Sequence, residues 1–367
     1  MARTKSSRND LTLPTTLGLS LGTLQHVITV GIGSPAVNQT MFIDTGSDVS
    51  WVQCKPCSRC HSQADSLFDP SLSSTYSPFT CSSAACAQLR QDDRGNGCSG
   101  SQCQYILNYG DASRTTGSYS SDTLSLGSNA VSNFKFRCNQ SESCLLLHDQ
   151  DQTAGLIELG GGAQSLATQT SGTFGKAFSY CLPLTPGSSG FLTMGVATSG
   201  FVVKTPLLRS RQVPEYYGVK IKHIRIGTLP LHLPSGLVLD LNNCYLVPAL
   251  SMNIISGSCL MQDGYSFKSA FRAGMKQYPP AQPMGILDTC FDFSGQSSIR
   301  IPTIALMFSG GAVVNLSPEG IILESCLAFA ANRDDSSLGI IGNVQQRMFE
   351  VLYDVGGGAV GFNVGAC

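Results

Sequence analysis

Alternating apolar and polar positions near the start of the chain predict a β-hairpin. Residues 26–33 alternate in this way, and Ser34 with Pro35 supplies the turn that follows. Residues 39–43 then form a second apolar run, which ends at Asp44. The pattern therefore predicts a hairpin that delivers an acidic residue to the end of an apolar strand.

Helical periodicity is scarce in the rest of the chain. The best candidate is residues 266–278, in which near-helical spacing is shared by Phe267, Ala270, Phe271, Gly274 and Met275. This 367-residue chain has 39 glycines, 17 prolines and only 13% charged residues, a composition that favours many short strands joined by turns. Its length is enough for two domains of ordinary size.

Charge and hydropathy limit the classes of partner. The net charge is -1, which gives no reason to expect binding to nucleic acid or to an anionic membrane. The longest apolar stretch, residues 244–261, is broken by Pro248 and Gly257 and is no candidate for a transmembrane helix.

The first ten residues are polar and basic with no apolar stretch behind them, so we expect this chain to lack an export signal. The cysteine count of 15 nevertheless indicates an oxidising compartment.

The first chemical signal is the tetrad Asp44, Thr45, Gly46 and Ser47. A carboxylate at the end of an apolar strand is costly to bury unless hydrogen bonds hold it, and the tetrad offers two hydroxyl groups and an unobstructed backbone N–H. Taken alone, the tetrad fits an ordinary turn as well as a carboxylate-holding turn, because Asp and Gly are both common in turns.

Further motifs accompany the tetrad in a fixed order. They are residues 43–54 around the tetrad itself, then 68–71 with 73–76, 109–113, 178–183, 287–293 and 340–347. In this order the motifs resemble the pepsin-like aspartic peptidases, specifically their plant nepenthesin-like branch, over residues 17–367. The resemblance implies an all-β, bilobal pepsin-like acid peptidase fold, with two antiparallel β lobes, a central cleft and few short helices.

On this resemblance the chain divides into four parts. Residues 1–23 are an N-terminal, propeptide-like remnant, and 24–195 form the N-terminal lobe with Asp44 and the flap. Residues 196–209 connect the lobes, and 210–367 form the C-terminal lobe with Asp240.

The resemblance also implies a mechanism. One carboxylate from each lobe meets in the cleft, and the two share a proton and hold the water that attacks a peptide carbonyl. Carboxylates so close cannot both ionise, so their pKa values belong to the pair. The predicted catalytic pair is Asp44 and Asp240, acting at acid pH on protein or peptide substrates, in a monomer that needs no metal and no cofactor.

Other residues receive supporting roles from the same resemblance. Those that support the catalytic loops are Thr45, Gly46, Ser47 and Gly342. A mobile flap over the cleft carries Tyr109 and Gly110, and Trp51 steadies that tyrosine. Substrate lies extended beneath the flap, held largely through its backbone. The expected location is the apoplast or the vacuole.

The sequence departs from the family pattern at several places. After Asp240 the family has a hydroxyl residue, Gly and Thr, whereas this chain has Leu241, Asn242 and Asn243. Glu158 stands where the family has Gly. An unpaired charge buried there either becomes protonated or lowers the stability by at least several kcal/mol. Lesser departures are Ala112 and Arg137 at glycine positions. These changes predict weak or absent hydrolysis.

The segment from Leu241 to about Tyr265 matches nothing in the family, and the match resumes at Phe267. Foreign sequence from a retained intron or a misplaced exon boundary is the preferred interpretation. The alternative is a diverged surface loop, which fits less well because the segment begins inside the catalytic turn.

Twelve cysteines match the positions of six family disulfides. By resemblance the pairs are Cys54–Cys57, Cys60–Cys138, Cys81–Cys103, Cys86–Cys98, Cys181–Cys367 and Cys290–Cys326, which leaves Cys144, Cys244 and Cys259. An alternative interpretation of Cys54, Cys57, Cys60 and His61 is a zinc site. Ligands so close in sequence cannot easily surround one tetrahedral ion without a second, distant pair.

Three functions remain open from the sequence. The first is an aspartic endopeptidase, the second is an inactive relative that binds a protein or peptide in its cleft, as an inhibitor does, and the third is a defective splice product. The histidines show neither ligand spacing nor a Ser-His-Asp order, which argues against metal and serine mechanisms; they are His26, His61, His148, His223 and His232.

Overall fold

The computed structural model describes residues 10–92, 97–108, 114–143, 151–185, 187–188, 190–211, 213–227, 237–248, 255–256, 264–330, 339–364 and 366–367. Within them the helices are short: α1 (Ala84–Asp92), α2 (Leu166–Gln169), α3 (Ser171–Phe174), α4 (Gly264–Ala273) and α5 (Pro318–Ile321). Single 3-10 turns occupy Gly18–Leu21, Pro70–Leu72, Thr198–Gly200, Ser309–Gly311 and Val344–Gln346.

Strands make up most of the regular structure. The first twelve are β1 (Leu11–Leu17), β2 (His26–Ile32), β3 (Val37–Asp44), β4 (Trp51–Gln53), β5 (Ser77–Pro78), β6 (Gly97–Ser99), β7 (Gln102–Asn108), β8 (Arg114–Leu126), β9 (Asn129–Ser143), β10 (Gly155–Glu158), β11 (Ala177–Cys181) and β12 (Gly190–Met194). The remainder are β13 (Val203–Pro206), β14 (Val219–Gly227), β15 (Leu237–Pro248), β16 (Ile255–Ser256), β17 (Thr303–Phe308), β18 (Val313–Asn315), β19 (Ile322–Leu323), β20 (Cys326–Leu327), β21 (Phe329–Ala330), β22 (Gly339–Ile341), β23 (Phe349–Asp354) and β24 (Ala359–Val364).

The predicted hairpin is confirmed. Strands β2 and β3 pair antiparallel with Ile28 opposite Met41, and both side chains are buried. The predicted helix is confirmed as α4, whose buried face carries Phe267 and Phe271. It ends at Ala273, five residues earlier than predicted at its C-terminal end, because the N–H of Gly274 turns to the Phe271 carbonyl, 3.0 Å away, in a tighter final turn.

Two large sheets carry the fold. The larger runs in the order β13-β24-β23-β11-β12-β1-β2-β3-β10-β4-β9-β8-β7-β6, with β5 beside β8. Strands from both ends of the chain therefore share one hydrogen-bonded sheet. The second sheet, in the order β18-β17-β14-β15-β22-β16-β21, is built entirely from the C-terminal half, and β19 pairs with β20 separately.

This architecture confirms the predicted all-β, bilobal fold with few short helices. The proposed bounds of the lobes stay a prediction. Strand β1 lies inside the segment expected to be a propeptide-like remnant, and it pairs with both β2 and β12. No helix in the described part of the chain is long and apolar enough to span a membrane.

Four of the six disulfides implied by the resemblance are wrong. The structure pairs Cys54 with Cys138, Cys57 with Cys60, Cys81 with Cys98, and Cys86 with Cys103. The bridges Cys181–Cys367 and Cys290–Cys326 are confirmed. Because Cys54, Cys57 and Cys60 are all in disulfides, the alternative zinc site is excluded as well.

Strand pairing explains the Cys54–Cys138 bridge. Strands β4 and β9 are parallel neighbours with Val52 opposite Cys138, and Cys54 directly follows β4. Both cysteines are fully buried, with their Cα atoms 5.4 Å apart, inside the range that a disulfide spans. Cys57 and Cys60 lie beyond the end of β4 and are left to pair with each other.

A tryptic digest without reduction separates the two pairings. Cleavage after Arg59 and Arg137 places Cys54 on a different tryptic peptide from Cys60 and from Cys138. We expect mass spectrometry to find the peptide that carries Cys54 and Cys57 joined by disulfides to two further peptides, the one with Cys60 and the one with Cys138. If that peptide instead carries an internal bridge and is joined to neither, the pairing implied by the resemblance is correct and the one described here is not.

His26 couples the fold to pH. The pKa of His26 is lowered from 6.5 to about 4, mainly by burial and to a smaller extent by the charge of Arg347. A hydrogen bond from Nε2 to the Pro183 carbonyl, 2.9 Å away, opposes the shift. Since the folded state binds this proton less readily than the unfolded state, stability is lost as pH falls from 6.5 toward 4. The loss is about 3 kcal/mol.

We therefore expect urea unfolding of the wild-type protein to show this loss between those two pH values. The variant His26→Gln keeps a donor but carries no proton that titrates, so it loses less stability over the same range. An identical pH dependence in the variant would contradict the assignment to His26.

Candidate active site

The Asp44 carboxylate is held by its own turn. Asp44 ends β3 and is only 4% exposed. The backbone N–H of Gly46 donates to Oδ1 over 2.7 Å, and the Ser47 hydroxyl donates to Oδ2. Both carboxylate oxygens thus receive a donor, which compensates for the loss of water around a buried acid. The catalytic role of Asp44 stays a prediction.

A neighbouring loop braces this turn, and sequence reasoning missed it. The Leu159 N–H donates to the Asp44 carbonyl over 2.7 Å, and the Gly160 N–H donates to the Ser47 carbonyl over 2.8 Å. The Gly162 N–H donates to Oδ1 of Asp48 over 2.8 Å. The available signal was the run of three consecutive glycines, 160–162, directly after an apolar strand.

Gly160 is required for this close approach. A Cβ at this position would lie 2.4 Å from the Ser47 carbonyl oxygen and 2.3 Å from Oδ1 of Asp48. The first of these atoms belongs to the backbone of the Asp44 turn, so relieving the clash moves the turn itself. Gly172 offers a matched control, because a Cβ there has nothing within 4 Å.

We expect Gly160→Ala to lower the free energy of unfolding by about 1 to 3 kcal/mol through overpacking. Gly172→Ala lies in α3 and should be neutral or stabilising by up to about 1 kcal/mol. Urea unfolding of both variants tests the claim. Equal stability of the two variants would show that the loop does not brace the turn.

Glu158 lies beside the Asp44 turn. Strand β10 pairs parallel with β3, and this register sets Glu158 opposite Asp44. Glu158 is fully buried, and its N–H donates to the Ser50 hydroxyl over 2.9 Å. Burial raises the pKa of Glu158 well above its usual value; the Arg137 charge opposes the rise, and the charges of Asp44 and Asp48 add to it. A raised pKa favours the acid form, as expected for a buried carboxyl.

Buried hydroxyl groups connect the Asp44 turn to the C-terminal half. Tyr353 is hydrogen-bonded to Thr45 on one side and to Tyr180 on the other, where the two phenol oxygens are 3.1 Å apart. Tyr180 donates to Oε1 of Gln346 over 2.5 Å, and Nε2 of Gln346 donates to the Gly342 carbonyl over 3.3 Å. The two predicted loop-support residues, Thr45 and Gly342, are therefore ends of one buried chain of hydrogen bonds. The intervening tyrosines and glutamine carried no role in the sequence prediction.

The flap is described only in part. Strands β7 and β8 form a hairpin in which Asn108 lies opposite Arg114. Tyr109 and Gly110 fall between these residues, outside the described part of the chain. Trp51 is 2% exposed on β4, and its indole N–H has no hydrogen-bond partner among the described residues. Its predicted contact with Tyr109 stays a prediction.

The register of β15 determines where Asp240 lies. Its backbone sits opposite His223 in the antiparallel β14–β15 pair. Only the far end of β15, from Leu246 to Pro248, pairs with β22, where Pro248 lies opposite Ile341. Eight residues separate Asp240 from Pro248, and a strand of that length spans about 26 Å.

A comparison of the two halves shows what this register means. In the N-terminal half Ile43 lies opposite Ile157, so Asp44 comes one residue after this pair. In the C-terminal half Pro248 lies opposite Ile341 in the same parallel arrangement. Counted from that pair, the residue that corresponds to Asp44 is Ala249, which lies outside the described residues. The described backbone thus does not give Asp240 the strand position that Asp44 has.

Metal ligands do not cluster in the described part of the chain. No group of three or more His, Cys, Asp or Glu side chains there is arranged to hold a metal ion. The reactive groups that the described residues bring together at Asp44 are carboxyl and hydroxyl groups.

Fold and site define a class: a bilobal β protein of the aspartic peptidase type. Family models described as xylanase inhibitor N-terminal and C-terminal match residues 26–196 and 216–364. An aspartyl protease family protein of Arabidopsis thaliana is 38% identical, over 99% of this chain and 76% of that protein. Nepenthesin-1 of Nepenthes gracilis is 31% identical, over 94% of this chain and 78% of that proteinase. The chain belongs to the pepsin-like aspartic peptidase family, in its plant nepenthesin-like branch.

Solved structures agree on the fold. Conglutin gamma from lupine seeds superposes with a TM-score of 0.73 at 21% identity, covering 97% of this chain and 95% of that one. The basic 7S globulin from soybean gives a TM-score of 0.72 at 21% identity, covering 97% and 96%. At this identity the likeness supports the fold alone.

Proposed function

We propose that this chain is an aspartic endopeptidase whose hydrolytic activity is impaired. It binds extended protein or peptide substrates in the cleft and acts on their peptide bonds at acid pH. The observation that supports this most directly is the Asp44 turn, in which both carboxylate oxygens are hydrogen-bonded by the tetrad itself. Family membership supplies the reaction type.

In the proposed reaction Asp44 takes a proton from a water as the water attacks the peptide carbonyl. A second carboxyl group donates a proton to the carbonyl oxygen, and Asp240 is the sequence-predicted candidate for that role. The charge that develops in this reaction is tolerated only where both groups are held in place beforehand. On the Asp44 side, the loop of residues 158–162 supplies that rigidity.

The impairment is proposed because of the second carboxyl group. The strand register separates Asp240 from the end of β15 by about 26 Å, and a misplacement of even one ångström can lower a rate about a hundredfold. Leu241 also lacks the hydroxyl group that the family has after its second aspartate. The same observation favours a second candidate function, in which the cleft binds a peptide or protein without cutting it.

The proposed setting follows from the disulfides. Six bridges among the described residues fit an oxidising compartment, and we place the chain in the apoplast or vacuole of a plant cell, as a monomer acting on protein substrates. We propose no nucleic acid or membrane partner, in keeping with a net charge of -1.

Hydrolysis of denatured haemoglobin at about pH 3.5, with and without pepstatin, tests the proposal. We expect cleavage at least about a hundredfold slower than by an active relative, abolished by Asp44→Asn and by pepstatin. Asp240→Asn is the matched control, because it removes the same charge from the other predicted catalytic position. Because the register places Asp240 far from the end of β15, we expect this second variant to lower the residual activity less than Asp44→Asn does.

Each remaining outcome has a definite meaning. Full peptidase rates that both substitutions abolish would show an intact Asp44 and Asp240 pair and would refute the impairment. Retention on immobilised pepstatin without cleavage would favour the binding function. Neither cleavage nor retention, in a protein with a β-rich circular dichroism spectrum, would contradict both candidates.

A further inference from the structure

Glu158 is a buried carboxyl group with no part in the reaction proposed above, and it is next to Asp44. The parallel β3–β10 register sets the two residues opposite each other, and both are buried, with Glu158 at 0% and Asp44 at 4% exposure. Two acidic side chains at neighbouring positions away from water cannot both carry a charge without a large cost. One of the two therefore holds a proton.

The surroundings decide which of the two is protonated. Asp44 receives hydrogen bonds from Gly46 and Ser47, which stabilise its charged form. The two carboxyl oxygens of Glu158 receive no hydrogen bond in the described structure that would do the same. The proton accordingly stays on Glu158.

The Ser47 hydroxyl serves Asp44. It donates its one hydrogen to Oδ2 of Asp44, and neither carboxyl oxygen of Glu158 has a hydrogen-bond partner in the described structure. The two carboxyl groups therefore interact through their charges at adjacent positions.

We propose that Glu158 is a positioning residue that forms a carboxyl pair with Asp44 inside the N-terminal lobe, and that the two adjacent groups hold one proton and one negative charge between them. Glu158 keeps the proton, and the two groups titrate as a unit rather than as two separate acids. This inference deepens the proposed function but does not depend on hydrolysis.

Charged groups around the pair determine the pH range over which Glu158 keeps its proton. Asp48, which follows β3, and Asp44 itself both favour the acid form of Glu158. Arg137 on β9 favours the ionised form, and it also lies over the ring of Tyr105 on β7, 5.1 Å from its centroid. The charge of Arg137 therefore opposes the effect that the two aspartates have on the pKa of Glu158.

Infrared spectroscopy of the carboxyl carbonyl stretch tests the pair directly. We expect the wild-type protein to keep one protonated carboxylic acid band at pH values where exposed carboxyl groups have ionised. The band is lost in Glu158→Gln and kept in Glu319→Gln, a matched control because Glu319 is exposed on α5. A band that survives Glu158→Gln, or no band at all in the wild type, would overturn the proposal.

A second variant tests the coupling to Asp44 rather than burial alone. Asp44→Asn removes the neighbouring negative charge, so the Glu158 band should disappear about one pH unit lower or more, as for groups that titrate as a pair. Asp240→Asn should leave it unmoved. A band with the same midpoint in wild type and Asp44→Asn would show that Glu158 is protonated only because it is buried.

The outcome is independent of the haemoglobin assay. An inactive protein that still shows the coupled band would retain the carboxyl pair and lose only the proposed hydrolysis. An active protein without the band would retain the peptidase function and lose only the pair.

Discussion

The parallel pairing of β3 with β10 determines the surroundings of Asp44. It sets Glu158 opposite the aspartate and leads directly into the loop of residues 158–162. The N–H groups of this loop donate to the backbone carbonyls of the Asp44 turn. The carboxylate receives its own donors from Gly46 and Ser47, and the loop keeps the turn that carries them in position. The requirement for Gly160, the bracing by Asp48 and the protonation of Glu158 all follow from this one pairing.

The two halves of the molecule use the same arrangement with different results. Strand β10 supports β3 in the first half, and β22 supports β15 in the second, both in parallel. In the first half the supported strand ends in an aspartate whose turn supplies its own hydrogen bonds. In the second half the strand passes Asp240 well before it reaches β22. The chain thus has the framework of a two-lobed acid peptidase and one well-held carboxylate.

Buried hydroxyl groups join these unequal halves. The chain from Thr45 through Tyr353, Tyr180 and Gln346 to Gly342 lies under the cleft, and burial raises the pKa values of both tyrosines, so they stay neutral. Neutral phenols both donate and accept, which lets one line of hydrogen bonds run from lobe to lobe. The C-terminal loop at Gly342 is therefore joined by hydrogen bonds to Thr45 in the Asp44 turn.

The sequence by itself determined the hairpin ending at Asp44, the α4 helix, the all-β class and the family, because these depend on local periodicity and on motifs that the chain carries intact. It could not determine the pairing of Cys54 or the partner of Glu158, since both depend on which strands become neighbours across long stretches of chain. It also placed the second aspartate by its resemblance to a motif, whereas the position of Asp240 depends on strand register, and register is fixed only when β14, β15 and β22 pair in the folded protein.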